Sequence, residues 1–254
     1  MTEFFSQYNT FVLGILASVI TGLSTGIGAF FILFTRKISG KFLDGALGVA
    51  AGIMMASTSF SLVIPAIESG GGGLRGATIA LFGILLGAVF LDVSDKVLPT
   101  TGSFSGSLRS TWIFIAAITI HNFPEGLAVG VGFAGGNITS GIALAIGIAI
   151  QNIPEGLAVA LPLVKEGYPK WKAILIALLT GLTEPIGGLL GVGIIGLSAA
   201  ILPIAMAFAA GAMLFVICHE IIPEAQENEA NSKFATYCMV IGFVVMMFLD
   251  NCFH

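Results

Sequence analysis

A succession of apolar runs fills this sequence, each near the roughly 20 residues that a helix needs to cross a bilayer core. Read between glycine, proline and charged punctuation, the runs predict eight spans, over about residues 11-34, 43-67, 74-95, 111-133, 139-164, 172-197, 200-224 and 234-253. The solvent follows from composition: 56% of the 254 residues are hydrophobic and 9% are charged, whereas a soluble domain carries about 25% charged residues. A water-soluble enzyme, a nucleic-acid-binding module and a disulfide-rich secreted domain are thereby excluded. The expected fold is all-α, a polytopic membrane helix bundle in which residues 1-254 form a single transmembrane domain with no room for a separate soluble one.

The basic residues test this count, because positively charged loops are retained on the cytoplasmic side. Arg36, Lys37 and Lys41 fall between the first two spans, Lys96 and Arg109 between the third and fourth, Lys165, Lys170 and Lys172 between the fifth and sixth, and Lys233 between the last two. Only Arg75 lies on the other side. Both termini are therefore expected outside. The first ten residues carry Glu3 and no Lys or Arg, unlike the basic start of a signal peptide, so the first span is expected to be retained. Cys218, Cys238 and Cys252 have no metal-finger spacing and read as packing residues. The loop before the fourth span, TTGSFSGSLRS, reads as a flexible linker, and EAQENEANSK after the seventh as a solvated acidic loop.

An internal repeat concentrates the polar residues. His121-Asn-Phe-Pro-Glu-Gly-Leu-Ala-Val-Gly130 returns thirty residues later as Gln151-Asn-Ile-Pro-Glu-Gly-Leu-Ala-Val-Ala160. Each copy starts well inside its span, so its polar groups lie near the bilayer midplane on helices running in opposite directions. Positions i, i+3 and i+4 share a helix face; His121, Asn122 and Glu125 point together, as do Gln151, Asn152 and Glu155. Pro124 and Pro154 each remove a backbone hydrogen bond, and the helices are expected to unwind there around a polar site.

Glu184, in GLTEPIGG of the sixth span, adds a third carboxylate at similar depth. An ionised carboxylate at a helix centre costs about 2.5–3.5 kcal/mol, and no Lys or Arg lies at that depth to offset it. The neutralising charge must come from protons or from a cation that is not part of the chain. Glu, Gln, Asn and His together suit Zn²⁺ and other first-row ions, and two symmetric glutamates can each bridge a pair of ions. Along the remaining depth, Glu68, Ser61 and Ser57 follow one face inward from the outer end of the second span towards Met54, a candidate thioether ligand. His219, Glu220 and Glu224 mark the inner end of the seventh span, and Asp92 and Asp95 that of the third. His219-Glu220 lacks the second histidine of a zinc-protease motif because Pro223 stands there; the terminal His254 carries no role.

The paired HNFPEG and QNIPEG motifs, on adjacent spans among eight with both ends outside, resemble the ZIP (Zrt/Irt-like) divalent metal transporters, and Gln151 resembles their prokaryotic GufA-type branch. The resemblance implies inverted three-helix repeats flanking the fourth and fifth spans. It implies a first metal site of His121, Glu125, Gln151 and Glu155 with Met54. A second site would be formed by Asn122, Asn152 and Glu184 with Glu125 and Glu155. Ser61 and Glu68 would serve the entrance, and His219 and Glu220 the exit. The implied activity is movement of Zn²⁺ first, and also Cd²⁺, Fe²⁺ or Mn²⁺, into the cytoplasm across a bacterial or archaeal cell membrane by one helix bundle sliding against another. These ions are cargo, and no cofactor is expected. The partners expected are the ions and the lipid bilayer, with no nucleic acid, and a homodimer is compatible with this reading. Gln151 departs from relatives that carry a second histidine there, and the histidine-rich loop of many relatives is missing before the fourth span. Two other classes fit the carboxylates: a membrane-embedded metal-dependent hydrolase using Glu125 or Glu155 as general base, and a proton-coupled carrier of small solutes.

Overall fold

Local signals define where the helices begin. In the computed structural model, which describes residues 9–34, 39–97, 107–135 and 138–253, the Asn9 side chain accepts from the Phe11 N–H at 2.9 Å and starts α1, Thr10–Phe30. Ser39 does the same for the Phe42 N–H at 3.2 Å and starts α2, Gly40–Ser69. Gly71, Gly72 and Gly73 have φ of 100°, 65° and 49°, so only glycine makes this tight turn without strain. It leads into α3, Gly73–Val97. The repeat copies lie on α4, Ser107–Ala134, and α5, Ile138–Lys165, each 28 residues long. A turn at Leu182 divides α6 into Lys170–Gly181 and Thr183–Leu197. Then follow α7, Leu202–Gln226, and α8, Glu229–Phe253.

The described chain is helical, with no strand among the described residues. Seven of its helices are long and apolar enough to cross a membrane, namely α1, α2, α3, α5, α6, α7 and α8. Their outward faces carry large apolar side chains such as Leu16, Ile20, Leu85 and Val240, as a lipid solvent requires. Two groups emerge from the packing. Helices α1, α4, α5 and α6 pack on one another, while α2 packs along α8 and α3 along α7; the groups meet where α2 touches α5 and α4 touches α7.

The prolines act differently from the expectation. Both α4 and α5 run as unbroken α-helix through Pro124 and Pro154. Each ring removes one hydrogen bond, and the flanking turns hold. The widened turns occur instead in α2 over Thr58–Val63 and in α7 over Ile217–Ile221, where the Ile64 N–H reaches Ser59 O and the Ile222 N–H reaches Ile217 O. These precede Pro65 and Pro223, which cannot donate to the carbonyls of Ser61 and His219 four residues earlier. Cysteine also departs from expectation: Cys238 packs over Gly45, but Cys218 and Cys252 are exposed.

Candidate functional site

Glycine lets the polar helices meet. Gly126 follows Glu125, and a Cβ there would overlap the Glu184 carbonyl of α6; Gly156 follows Glu155, and a Cβ there would overlap the Thr25 carbonyl of α1. The Glu-Gly pair of each copy thus delivers a carboxylate and permits the helix crossing that buries it. Asn122 and Glu125 of α4, Gln151, Asn152 and Glu155 of α5, and Glu184 of α6 are each at most 1% exposed.

Few partners await them. Gln151 Nε2 donates to Glu125 Oε1 at 2.7 Å. Asn152 Nδ2 donates to Glu184 Oε1 at 2.6 Å and to the Thr21 carbonyl at 2.8 Å. Left without any hydrogen bond are both side-chain polar atoms of Asn122, both carboxylate oxygens of Glu155, Oε2 of Glu125 and of Glu184, Oδ1 of Asn152, Oε1 of Gln151 and Oγ1 of Thr25. Buried polar atoms normally find partners, and leaving them unpaired costs about 1–3 kcal/mol each. No Lys or Arg is among the buried polar residues described. The cluster is therefore rich in oxygen acceptors, and among the described residues no buried Lys or Arg offsets them.

The sequence-derived residues divide by position. Asn122, Glu125, Gln151, Asn152, Glu155 and Glu184 come together. The backbone of His121 belongs to α4, and its side chain lies outside the described residues. Among the described residues no three of His, Cys, Asp or Glu are arranged as a metal cage; the acids there stand together with the amides of Asn122, Gln151 and Asn152. Met54 is buried in an apolar cluster with Leu91, Ala212 and Val216, against which Ile120 also packs; this sets it beside the turn that carries His121. Ser57 donates to the Met54 carbonyl at 3.1 Å.

Ser61 and Glu68 line one cavity of about 250 Å³, together with Ser69, Ser140, Leu144 and Met206. Ser61 Oγ donates to Asp250 Oδ1 of α8 at 2.6 Å, with both residues buried. Sequence reasoning missed Asp250: a lone acid three residues from the predicted end of a span looks interfacial. Its signal was the otherwise apolar run VVMMFL before it. His219 and Glu220 sit on the widened turn of α7; the exposed His219 ring lies 5.2 Å from that of Phe215, and Glu220 is half-buried. Asp92 is half-buried, and the side chain of Asp95, like residue 254, lies outside the described residues. At the far end of α2 from Ser61, Asp44 accepts from Asn231 Nδ2 at 2.8 Å.

Known proteins are similar to this chain in sequence. The family described as ZIP Zinc transporter matches residues 99–250. The chain is 43% identical over 248 residues to the Zinc transporter GufA of Myxococcus xanthus, covering 93% of this chain and 97% of the relative. It is 41% identical over 239 residues to the Zinc transporter ZIPB of Bordetella bronchiseptica, covering 90% and 77% respectively. With the Zinc transporter ZIP11 of Homo sapiens the identity is 34% over 328 residues, covering 93% and 96%. Its chemistry is accordingly transport rather than catalysis, which sets aside the hydrolase reading. The chain belongs to the ZIP zinc transporter family, as a multi-pass membrane protein.

Proposed function

We propose that this protein carries divalent transition-metal cations, Zn²⁺ first and Cd²⁺, Fe²⁺ or Mn²⁺ as further cargo, into the cytoplasm through a two-ion site at the membrane midplane. The observation that carries this reading is the set of buried, unpaired oxygens on Asn122, Glu125, Gln151, Asn152, Glu155 and Glu184, with no buried Lys or Arg among the described residues. A dehydrated ion needs replacement ligands, and this cluster offers them. One ion takes His121, Glu125, Gln151 and Glu155, with Met54 at its edge; the second takes Asn122, Asn152 and Glu184, and the two glutamates of the repeat bridge both ions. Mixed oxygen and nitrogen donors suit first-row ions above Mg²⁺ or Ca²⁺.

Eight spans, with α4 as the eighth and residues 1-254 as one domain, give both termini outside when the basic loops are retained inside. The matching contacts of α4 on α6 and of α5 on α1 support inverted repeats about the central pair. An entrance at Ser61 and Glu68 is supported by the cavity that both residues line. Sliding of α1, α4, α5 and α6 against the remaining helices then carries the site across, with His219 and Glu220 receiving the ion. The setting is the cell membrane of a bacterium or archaeon, and a homodimer is compatible with the outward apolar faces.

Uptake of radioactive zinc into liposomes holding the pure protein tests this. The wild type accumulates zinc and the Glu125→Ala and Glu155→Ala variants do not; equal uptake by all three would overturn the site. Uptake of a proton-coupled solute with no zinc flux would favour the metal-free carrier instead.

A further inference from the structure

Helix α1 contributes a hydroxyl to the same cluster. Building on the two-ion reading, we propose that Thr25 supplies a neutral oxygen ligand to the ion held by Glu155 and Glu184, and so helps set which divalent cation is carried. A Ser or Thr hydroxyl in a helix usually donates to the carbonyl three or four residues earlier. Three neighbours on α1 do so: Ser18 to Ile15 at 2.9 Å, Thr21 to Ser18 at 3.1 Å and Ser24 to Ile20 at 3.0 Å. Thr25 does not. The carbonyl four residues before it, that of Thr21, already accepts from Asn152 Nδ2. Thr25 is 0% exposed and its Oγ1 has no partner.

Three contacts locate this hydroxyl. Thr25 shares a helix face with Thr21, four residues earlier, whose carbonyl touches Asn152. Its own carbonyl meets Gly156, the residue after Glu155, and its Cβ faces Gly181, three residues before Glu184. An unpaired oxygen thus stands among the groups that need a cation.

A correspondence between α1 and α6 gives the position its meaning. Gly22-Leu-Ser-Thr-Gly-Ile-Gly28 parallels Gly181-Leu-Thr-Glu-Pro-Ile-Gly187, with Thr25 where Glu184 stands. The contacts repeat as the letters do. Gly22 and Gly181 meet each other's backbone; Gly28 meets the carbonyl of Ile153 on α5, and Gly187 meets that of Phe123 on α4. Thr25 holds against the second repeat copy the place that Glu184 holds against the first. One half offers a carboxylate there and the other a neutral hydroxyl, so the site gains a ligand without a fourth negative charge. Neutral oxygen is a hard donor, whereas sulfur at the same place favours softer ions.

The experiment compares the full chain in liposomes as wild type, Thr25→Ser, Thr25→Val and Thr25→Cys. Thr25→Val keeps the shape and removes the oxygen; it raises the zinc concentration for half-maximal uptake about tenfold, the effect of losing one hydrogen bond or ligand to a charged group, with the maximal rate held. Thr25→Ser stays near wild type. Thr25→Cys raises the preference for Cd²⁺ over Zn²⁺, and carries the test even where the valine variant fails to insert. Wild-type half-saturation in Thr25→Val, or an unchanged Cd²⁺-to-Zn²⁺ ratio in Thr25→Cys, overturns the proposal. A wild type that moves no metal at all sinks instead the two-ion reading on which it rests.

Discussion

The acids buried where α4, α5 and α6 meet and the acids buried between α2 and α8 differ in what they touch. Asp250 receives the Ser61 hydroxyl at 2.6 Å and Asp44 receives the Asn231 amide at 2.8 Å. In the cluster of α4, α5 and α6, Glu155 receives nothing, and Glu125 and Glu184 each keep an oxygen unpaired. Burial alone does not distinguish these groups, since all five are under a tenth exposed. Unpaired oxygens do. Neutral donors join helices in both places, Asn231 and Ser61 at Asp44 and Asp250, Gln151 and Asn152 at Glu125 and Glu184; the difference lies in the carboxylate oxygens left over, both of them on Glu155, which is where the proposed ions bind.

Substitutions sharpen that contrast. Glu155→Ala removes the bridging group with two unpaired oxygens, and zinc uptake falls by at least about a hundredfold, the scale of losing more than one charge-assisted contact. Glu184→Gln keeps the volume and the acceptor for Asn152 but removes the charge; uptake falls about tenfold or more, through weaker affinity for the second ion. Asp250→Asn leaves a partner for Ser61, so half-saturation shifts by only about threefold and the midplane site still binds zinc. Asp44→Asn has the least effect on flux; it appears as a loss of about 1 kcal/mol of thermal or denaturant stability, the size of one hydrogen bond. Reversal of this order, with Asp44→Asn abolishing flux and Glu155→Ala sparing it, would break the distinction between joined and unjoined acids.

Much of this was legible in the letters. Seven of the eight apolar runs coincide with helices long and apolar enough to cross a membrane, with most ends agreeing to within a few residues, because hydropathy over about 20 residues is a strong signal. The repeated Asn and Glu were legible because polar groups at that depth are expensive. The prolines were less so. A missing N–H can widen a turn or leave the helix intact, and the choice depends on neighbours that sequence does not reveal: Pro65 and Pro223 follow widened turns, whereas Pro124 and Pro154 sit in regular helix. Asp250 escaped because its partner, Ser61, is 189 residues away. Thr25 escaped because a threonine in an apolar span normally bonds its own backbone, and the letters do not show that Asn152 reaches the Thr21 carbonyl one turn before it.

Zinc stoichiometry on the purified protein puts the unpaired acids to the proof. Titration of the wild type to saturation is predicted to load two ions per chain, with Glu155→Ala retaining less than one at the same concentration. A wild type that stays metal-free in saturating zinc, or a Glu155→Ala variant that binds as the wild type does, would contradict the account.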